Sequence, residues 1–239
     1  MIALCTTLCL LLDPGAVAAS SCCASAAAVA AQTPDNTLTP AEKALGYKLL
    51  FDGKTLSGWK CTDPNSKGWE VVDGAIFYNV KGGGYLATNE RYGNFELKID
   101  FKVDHGTNSG IFFRWDDLRD PVQTGIEMQI YDSAGVKNPS RHDCGAIYDV
   151  LAPSENAMKP AMEWNSVLLR CRNNIISVTM NGKRIINMDL DKWTEPHRNP
   201  DGSGNKFRAA YKDMPREGHI GLQEHGGKLW FKNIKIRRL

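Results

Sequence analysis

One stretch of this chain alternates apolar and polar residues too regularly to form a helix. Within Asn94–Val103 every second residue is apolar, namely Phe95, Leu97, Ile99, Phe101 and Val103. Side chains of a β-strand point alternately to the two faces of a sheet, so this pattern predicts a strand with one buried face. The chain must therefore supply partner strands and a second layer that covers this face.

Other short apolar runs follow, and residues typical of turns separate them. Asp73-Gly74 and Asn181-Gly182 are hairpin turn pairs, and Asn181-Gly182 is the strongest such signal in the chain. A last hairpin is predicted from His219–Glu224 and Lys228–Arg237, joined across Gly226-Gly227. About twelve short strands without crossover helices predict an all-β sandwich of antiparallel sheets.

Helical signals are confined to one short segment ahead of the strands. Thr39 can act as N-cap, Pro40 occupies the first helical position, and Glu42 completes a capping box. Gly46 ends this helix at once. Residues 32–45 are therefore interpreted as a linker with a short helix, and residues 46–239 as a single sandwich domain, which suits a chain of 239 residues.

The first 31 residues differ in composition from the rest. Met1–Leu12 is mostly apolar, Val17–Ala31 is rich in small residues, and Asp13 is the one charged residue among them. This composition predicts a secretory signal peptide, although the usual positive charge at its start is missing. The apolar stretch is too short to span a membrane. The mature protein is expected to be exported, to the periplasm or the cell surface.

Cysteines and charge exclude several classes of protein. Three cysteines outside the leader (Cys61, Cys144 and Cys171) have neither zinc-site nor disulfide-framework spacing and are predicted to be free thiols. Cys22 or Cys23 could carry a lipid anchor, but the match to a lipidation signal is poor, so an anchor is the less favoured alternative. Formal net charge is +2 and the basic residues do not cluster, which argues against a nucleic-acid partner.

Polar residues within two predicted strands are the first candidates for chemistry. In Gly125–Tyr131, period two places Glu127 and Gln129 on one face. In Ser109–Trp115 the same period assigns Arg114 to a face shared with Gly110. A strand face with these groups suits a sheet surface that holds a polar ligand. An ordinary solvated face with a salt bridge is the alternative.

Histidines in loops are the next candidates. His142 lies beside Asp143 and can act as a general base, because imidazole titrates near neutral pH. No cofactor is required by any motif, but a divalent metal ion held by His142, Glu127 and Asp132 is left open. The identity of such a metal is unknown.

Two long connections and one glycine-rich turn are expected to border the ligand. Cys144–Asn165 and Asp191–Gly218 are long for loops of a compact domain, and such loops are usually functional or disordered. Gln223 precedes Glu224 and His225 at the tip of the predicted last hairpin. Since Glu224 and His225 are consecutive, only one of them is expected to face a given ligand.

Five segments of the chain, in this order and spacing, match a known pattern, namely Leu49–Trp59, Asn108–Arg114, Gly125–Asp132, Gly145–Tyr148 and Gly218–Arg237. In these segments the sequence resembles the 3-keto-disaccharide hydrolase family, over about residues 46–239. Membership implies a concanavalin-like jelly-roll sandwich, a periplasmic or surface location, and action on glycosides oxidised at C3. The implied partner is a carbohydrate substrate; the oligomeric state is not implied.

The implied reaction assigns roles to the candidate residues. A ketone at C3 acidifies the C2 proton, so a base can remove it and the resulting enolate can expel the C1 substituent; rehydration would complete a net hydrolysis. The expected catalytic residues are Glu127, His142 and His225. The expected substrate-binding residues are Asn108, Arg114, Gln129, Tyr148, Gln223 and Glu224.

Other functions remain open at the level of sequence. A direct two-carboxylate displacement would need a second acid, for which Glu224 is a better partner of Glu127 than Asp132 is. A non-catalytic, lectin-like carbohydrate-binding module is the runner-up, because the same sandwich supports both functions. A structural surface domain is the third reading.

Overall fold

Nearly all regular structure in this protein is β. The structure is a computed structural model, and it describes residues 33–79 and 83–239. Within them the strands are β1 Lys48–Leu49, β2 Trp59–Cys61, β3 Trp69–Val72, β4 Ala75–Tyr78, β5 Leu86–Thr88, β6 Phe95–Val103, β7 Asn108–Trp115, β8 Ile126–Tyr131, β9 Asn165–Arg172, β10 Ile175–Met180, β11 Lys183–Asp189, β12 His219–Leu222 and β13 Leu229–Arg238. The helices are α1 Pro40–Ala44, α2 Pro121–Thr124 and two 3-10 turns, Leu190–Lys192 and Tyr211–Asp213.

The strands form two antiparallel sheets. The larger sheet has the order β11-β10-β9-β6-β13-β4-β3, with β1 also paired to β13. The smaller sheet has the order β2-β5-β12-β7-β8. This arrangement confirms the predicted all-β sandwich of two antiparallel sheets.

The core lies between the two sheets. The larger sheet contributes the alternating apolar face of β6, including Leu97 and Phe101, both fully buried. The smaller sheet contributes Ile111, Met128 and Ile130 to the same cluster. Burial of this apolar surface is the main force that joins the sheets. It also leaves the even-numbered side of β7 and the odd-numbered side of β8 on the outer face of the smaller sheet.

The predicted last hairpin is wrong. β12 belongs to the smaller sheet, where it pairs with β5 and β7, whereas β13 pairs with β6 and β4 in the larger sheet. Residues 223–228 therefore cross from one sheet to the other. Gly227 permits this crossing, because a Cβ there would lie 2.6 Å from Thr107 Cγ2. The short strands β2 and β5 were not predicted, since three residues carry too little periodicity.

The predicted short helix is confirmed as α1. Thr39 accepts a hydrogen bond from Glu42 N, and Glu42 Oε2 accepts one from Thr39 N. The buried Glu42 carboxylate also accepts bonds from Lys98 Nζ and Lys235 Nζ, each at 2.9 Å, and so fastens α1 to the larger sheet. Burial alone would raise the pKa of Glu42, but these bonds lower it to about 2.

The structure bears only in part on the predicted signal peptide and linker, and it describes all three cysteines outside the leader. Residues 1–31, predicted to be a signal peptide, lie outside the described residues, as does Gln32 of the predicted linker. Among the described residues, no helix combines the length and the apolar character that a bilayer-spanning segment needs. Cys144 and Cys171 are free and buried, as predicted, whereas Cys61 is free but only half-buried.

A second, smaller apolar cluster lies on the outer face of the smaller sheet. Ala87, Phe112 and Trp115 are buried there, and Tyr85 and Leu118 pack against them. The loop that follows β7 covers this cluster. The cluster therefore forms an apolar wall on this outer face, next to the polar residues of β8.

Gly221 in β12 is predicted to be required for this wall. A Cβ at this position would lie 2.7 Å from the Trp115 ring and 3.2 Å from Phe112 Cβ. We expect Gly221→Ala to lower the free energy of unfolding by about 1–3 kcal/mol in urea titrations, because the cluster would be overpacked. Gly204→Ala, whose Cβ would meet nothing closer than 3.8 Å, should stay within about 0.5 kcal/mol. Equal effects of the two variants would contradict this account.

Candidate active site

A cavity of about 110 Å³ opens on the outer face of the smaller sheet. Strands β7 and β8 form its floor, and loops form its walls. Its lining residues are Tyr85, Asn108, Val122, Glu127, Gln129, Tyr148, Lys206, Gln223 and His225. Larger surface hollows exist. What distinguishes this cavity, among the described residues, is a buried carboxylate that forms no salt bridge.

That carboxylate belongs to Glu127, the second residue of β8. Its residue is only 7% exposed, although it lies on the outer face of the sheet. Gly110 on the neighbouring strand makes room for it, because a Cβ at Gly110 would overlap Glu127 Oε1. The backbone of two paired strands thus fixes the position of this carboxylate.

Burial raises the pKa of Glu127 to about 7. The positive charge of Lys206 and the amide of Gln223 oppose the rise but do not cancel it. A carboxyl group with such a pKa exchanges its proton near neutral pH. It is therefore suited to act as a general base or acid, and perturbed carboxyls of this kind are typical of active sites.

Lys206 is the cation of the cavity, and it was not predicted from the sequence. It lies in the long Asp191–Gly218 connection, and its Nζ is 4.1 Å from the centre of the Tyr148 ring. Such a cation–π contact orients the ammonium group over the ring. The length of the connection was the one signal for it, because loop residues show no period from which a direction can be derived. Tyr85, also in a loop, was missed for the same reason, and Val122 was missed because it lies in the four-residue helix α2, which was not predicted.

Hydrogen-bonding groups surround the carboxylate. Gln223 Nε2 donates to Tyr85 OH at 3.1 Å, and Gln129 Nε2 donates to Asn108 Oδ1 at 3.1 Å. Gln223 Oε1 is buried and has no hydrogen-bond partner among the described residues. Since a buried acceptor without a partner is costly, this oxygen is available to a hydroxyl group of a ligand.

Six of the predicted site residues line this cavity: Asn108, Glu127, Gln129, Tyr148, Gln223 and His225. His142 lies at its rim rather than in its wall. The His142 ring packs edge-on against Tyr148, with 5.1 Å between ring centres, and its Nε2 is 3.1 Å from Asp149 Oδ1. The roles of these residues stay predictions; the geometry shows that the fold gathers them in one place.

Arg114 does not reach the cavity, and its predicted face is wrong. Its side chain is fully buried and donates from Nε to Gly93 O at 3.2 Å. The cause is a β-bulge: β7 has one more residue than β12 between the pairs Phe112–Gly221 and Trp115–His219. Arg114 itself has φ +50°, so the alternation of side chains breaks at this residue.

Glu224 also points away from the cavity. Its Oε2 accepts a hydrogen bond from Tyr78 OH at 2.8 Å, while the next residue, His225, lines the cavity. This confirms that only one member of the pair faces the site. The proposed carboxylate pair of Glu127 and Glu224 is not assembled, and Glu127 is the one carboxylate among the described lining residues.

The residues considered as metal ligands are not gathered either. Asp132 Oδ2 accepts a hydrogen bond from Gly106 N at 2.9 Å, and His142 is directed to Asp149. Across residues 33–79 and 83–239, no three His, Cys, Asp or Glu side chains are grouped so as to hold a metal ion. The donor set of Glu127, His142 and Asp132 therefore does not fit a metal site in this structure.

The fold and the cavity define a β-sandwich protein with an ionisable carboxyl in a cavity on the face of one sheet. Comparison with known proteins gives its family. The model of the 3-keto-α-glucoside-1,2-lyase-like domain matches residues 46–237, and the chain belongs to this family.

Individual relatives agree with this assignment. The chain is 27% identical, over 81% of its length and 79% of the relative's, to a 3-keto-disaccharide hydrolase of Bacteroides thetaiotaomicron. Two crystal structures of candidate glycosyl hydrolases from Parabacteroides distasonis are also similar. The first is 37% identical with a TM-score of 0.73, covering 81% of this chain and 99% of the other. The second is 29% identical with a TM-score of 0.72, covering 86% and 100%.

The buried carboxyl of Glu127 is expected to destabilise the protein at high pH. Its pKa is about 7 when folded against an ordinary 4.5, so the unfolded chain releases this proton first as pH rises. Stability is therefore lost between about pH 4.5 and 7, by about 3 kcal/mol at most. Glu127→Gln removes the titration and should be more stable than the wild type at pH 8 but not at pH 4.

Urea unfolding at both pH values measures this effect. Glu163→Gln, which changes an exposed carboxylate outside the cavity, is the matched control and should show no gain at pH 8. A difference between Glu127→Gln and wild type that does not change from pH 4 to pH 8 would mean that Glu127 ionises normally in the folded protein.

Proposed function

We propose that this protein is an enzyme that cleaves 3-keto-glycosides, with Glu127 as the base that removes the C2 proton. The observation that carries the proposal is a buried carboxyl of pKa about 7 in a cavity with a lysine and several hydrogen-bonding groups. The family and the name of the Bacteroides relative support the substrate class.

The reaction follows from the chemistry of a sugar oxidised at C3. Glu127 takes the proton from C2, and the electron pair of the C2–H bond forms an enolate with the C3 ketone. That enolate then forms the C1–C2 double bond as the bond between C1 and the leaving oxygen breaks. The leaving oxygen takes a proton and departs as an alcohol. Addition of water across the double bond yields the free 3-keto sugar, so the net change is hydrolysis.

The remaining groups of the cavity suit the other charges that develop. Lys206 is the donor assigned to the enolate oxygen at C3, where a cation lowers the barrier. Gln129, whose Nε2 donates to Asn108 Oδ1 and to His142 O, is assigned to holding Asn108 toward the sugar. His225 is the acid assigned to the leaving oxygen. Asn108, Tyr148 and Gln223 are assigned to the sugar hydroxyls. His142, at the rim with Asp149, is kept as a second candidate for the acid.

Elimination is favoured over direct displacement because the described cavity wall contains one carboxylate rather than two. Displacement at C1 needs two carboxyl groups on opposite sides of the sugar ring. Glu127 is the one carboxylate among the described residues of the cavity wall, and the side chain of Glu224 bonds to Tyr78 instead. A single base beside a cation matches proton abstraction next to a ketone.

A turnover assay tests the proposal. The purified protein should release the alcohol from a 3-keto-glucoside but not from the parent glucoside. Glu127→Gln should lower kcat/KM by about 10²–10⁴-fold, the usual contribution of a general base. Because the ionised form of Glu127 is the active one, wild-type kcat/KM should fall as pH drops below about 7.

Glu163→Gln is again the control and should keep the wild-type rate. Full activity of Glu127→Gln would remove Glu127 from the reaction. Binding of the 3-keto-glucoside without turnover, with or without added divalent metal, would instead favour the non-catalytic carbohydrate-binding module.

We infer in addition that the protein is exported, to the periplasm or the cell surface. The inference rests on the apolar and small-residue composition of residues 1–31. Expression of the whole chain in a bacterial host, followed by fractionation and N-terminal sequencing, tests it. A new N-terminus near Ala30 in the envelope fraction is expected, and an intact Met1 in the cytosolic fraction would contradict export.

A further inference from the structure

Lys206 reaches the cavity from a connection with little regular structure, so contacts outside that connection must fix the position of the lysine. The regular structure between Asp191 and Gly218 consists of the end of one 3-10 turn, a second 3-10 turn and an isolated bridge between Arg198 and Gly204. A lysine side chain is long and flexible, and an unsupported loop would not keep its ammonium near Glu127. Hydrogen bonds to the main chain of Lys206 provide this support.

One carboxylate joins the loop to the rim of the cavity. Asp149 Oδ2 accepts a hydrogen bond from the main-chain N of Lys206 at 2.8 Å, and Asp149 Oδ1 lies 3.1 Å from His142 Nε2. The Asp149 side chain is only 15% exposed. A charge-assisted bond to a backbone N–H in such surroundings is stronger than a neutral one.

Asp149 is itself held in place. Its N donates to Arg141 O at 2.9 Å, and its O accepts from Asn199 Nδ2 at 3.3 Å. Its φ of +62° lies in the left-handed region, which aspartate tolerates better than most residues. Contacts on both sides of the peptide over-determine this conformation, as they do at other functional turns.

The residue before Asp149 completes the arrangement. Tyr148 supplies the ring beneath the Lys206 ammonium, and Asp149 binds the Lys206 main chain. Two consecutive residues thus hold the lysine at both its ends. On the other side of the loop, Gln123 Nε2 donates to Lys206 O at 3.3 Å.

We propose that Asp149 is a positioning residue, whose carboxylate keeps Lys206 and His142 at the cavity so that the lysine ammonium stays beside Glu127. The catalytic consequence rests on the proposed function, but the placement of Lys206 can be measured without turnover. The groups that face Glu127 electrostatically are Lys206, Tyr85, Tyr148 and Tyr211, with His225 in the same cavity wall. Lys206 is the one among them whose charge favours ionisation of Glu127.

The proton affinity of Glu127 reports the position of Lys206. Protein carrying ¹³C at the glutamate carboxyl carbons is titrated by NMR without substrate, and Glu127→Gln identifies the signal. Lys206→Met should raise the pKa of Glu127, because the cation that favours its ionised form is gone. Asp149→Gly should raise it in the same direction, by about half a unit or more. Glycine accepts the positive φ, so this variant should fold.

Asp149→Asn separates tethering from charge. Asparagine keeps an acceptor for Lys206 N and tolerates the same backbone conformation, so the pKa of Glu127 should stay close to that of the wild type. The double variant of Asp149→Gly and Lys206→Met should not exceed Lys206→Met alone, because both changes remove the same interaction. Asp213→Asn, in the same connection, is the control and should leave the titration unchanged.

Three results would overturn the proposal. If Asp149→Gly and Asp149→Asn lower the pKa of Glu127 alike, Asp149 acts through its charge alone. If Asp149→Gly leaves that pKa unchanged while Lys206→Met raises it, other contacts place the lysine. If Lys206→Met has no effect, the ammonium does not lie beside Glu127.

An activity measurement then separates this proposal from the proposed function. With a 3-keto-glucoside, the acidic limb of the kcat/KM profile should move to higher pH in Asp149→Gly by the same amount as the NMR titration. A shifted NMR titration in a protein that turns over no 3-keto-glycoside would support the positioning role and reject the reaction. If Asp149→Gly leaves the NMR titration of Glu127 unshifted and the protein turns over the 3-keto-glucoside, the positioning role is rejected and the reaction is supported.

Discussion

The candidate site depends on the burial of one carboxyl on the face of a sheet that would otherwise meet water. Glu127 projects outward from β8, away from the core, and yet it is 7% exposed. Its cover comes from chain segments far apart in sequence, including the loop of Lys206 and the crossing at His225. Without that cover the carboxyl would be hydrated, and its pKa would fall back toward the ordinary value of a glutamate.

The sheet fixes where the Glu127 carboxyl lies, and the loops determine its electrostatic surroundings. The strands fix the position of Glu127, because Gly110 on β7 is the neighbour that leaves room for its side chain. The loops determine its electrostatics, since they carry the lysine and most of the covering atoms. The pKa of the carboxyl therefore reflects a compromise between desolvation, which the loops cause, and the charge of Lys206, which one of them supplies.

Regular strands are the parts that sequence periodicity predicted well. Glu127 and Gln129 were assigned to one face because β8 keeps strict alternation, and both line the cavity. The same argument failed for Arg114, because a bulge and a positive φ interrupt the alternation in β7. Lys206 could not be derived from any local pattern, since its tether to Asp149 spans 57 residues. The last hairpin was mispredicted because turn residues do not reveal which sheet a strand joins.

The crossing of residues 223–228 links the cavity to the assembly of the whole sandwich. Gln223 and His225 lie in the cavity wall, and four residues after His225 the chain enters β13, an interior strand of the larger sheet. A folding intermediate with only the smaller sheet formed would hold Glu127 on its strand but would leave this part of the wall unplaced. The carboxyl would then be more hydrated than in the folded protein, so its raised pKa depends on the docking of the two sheets.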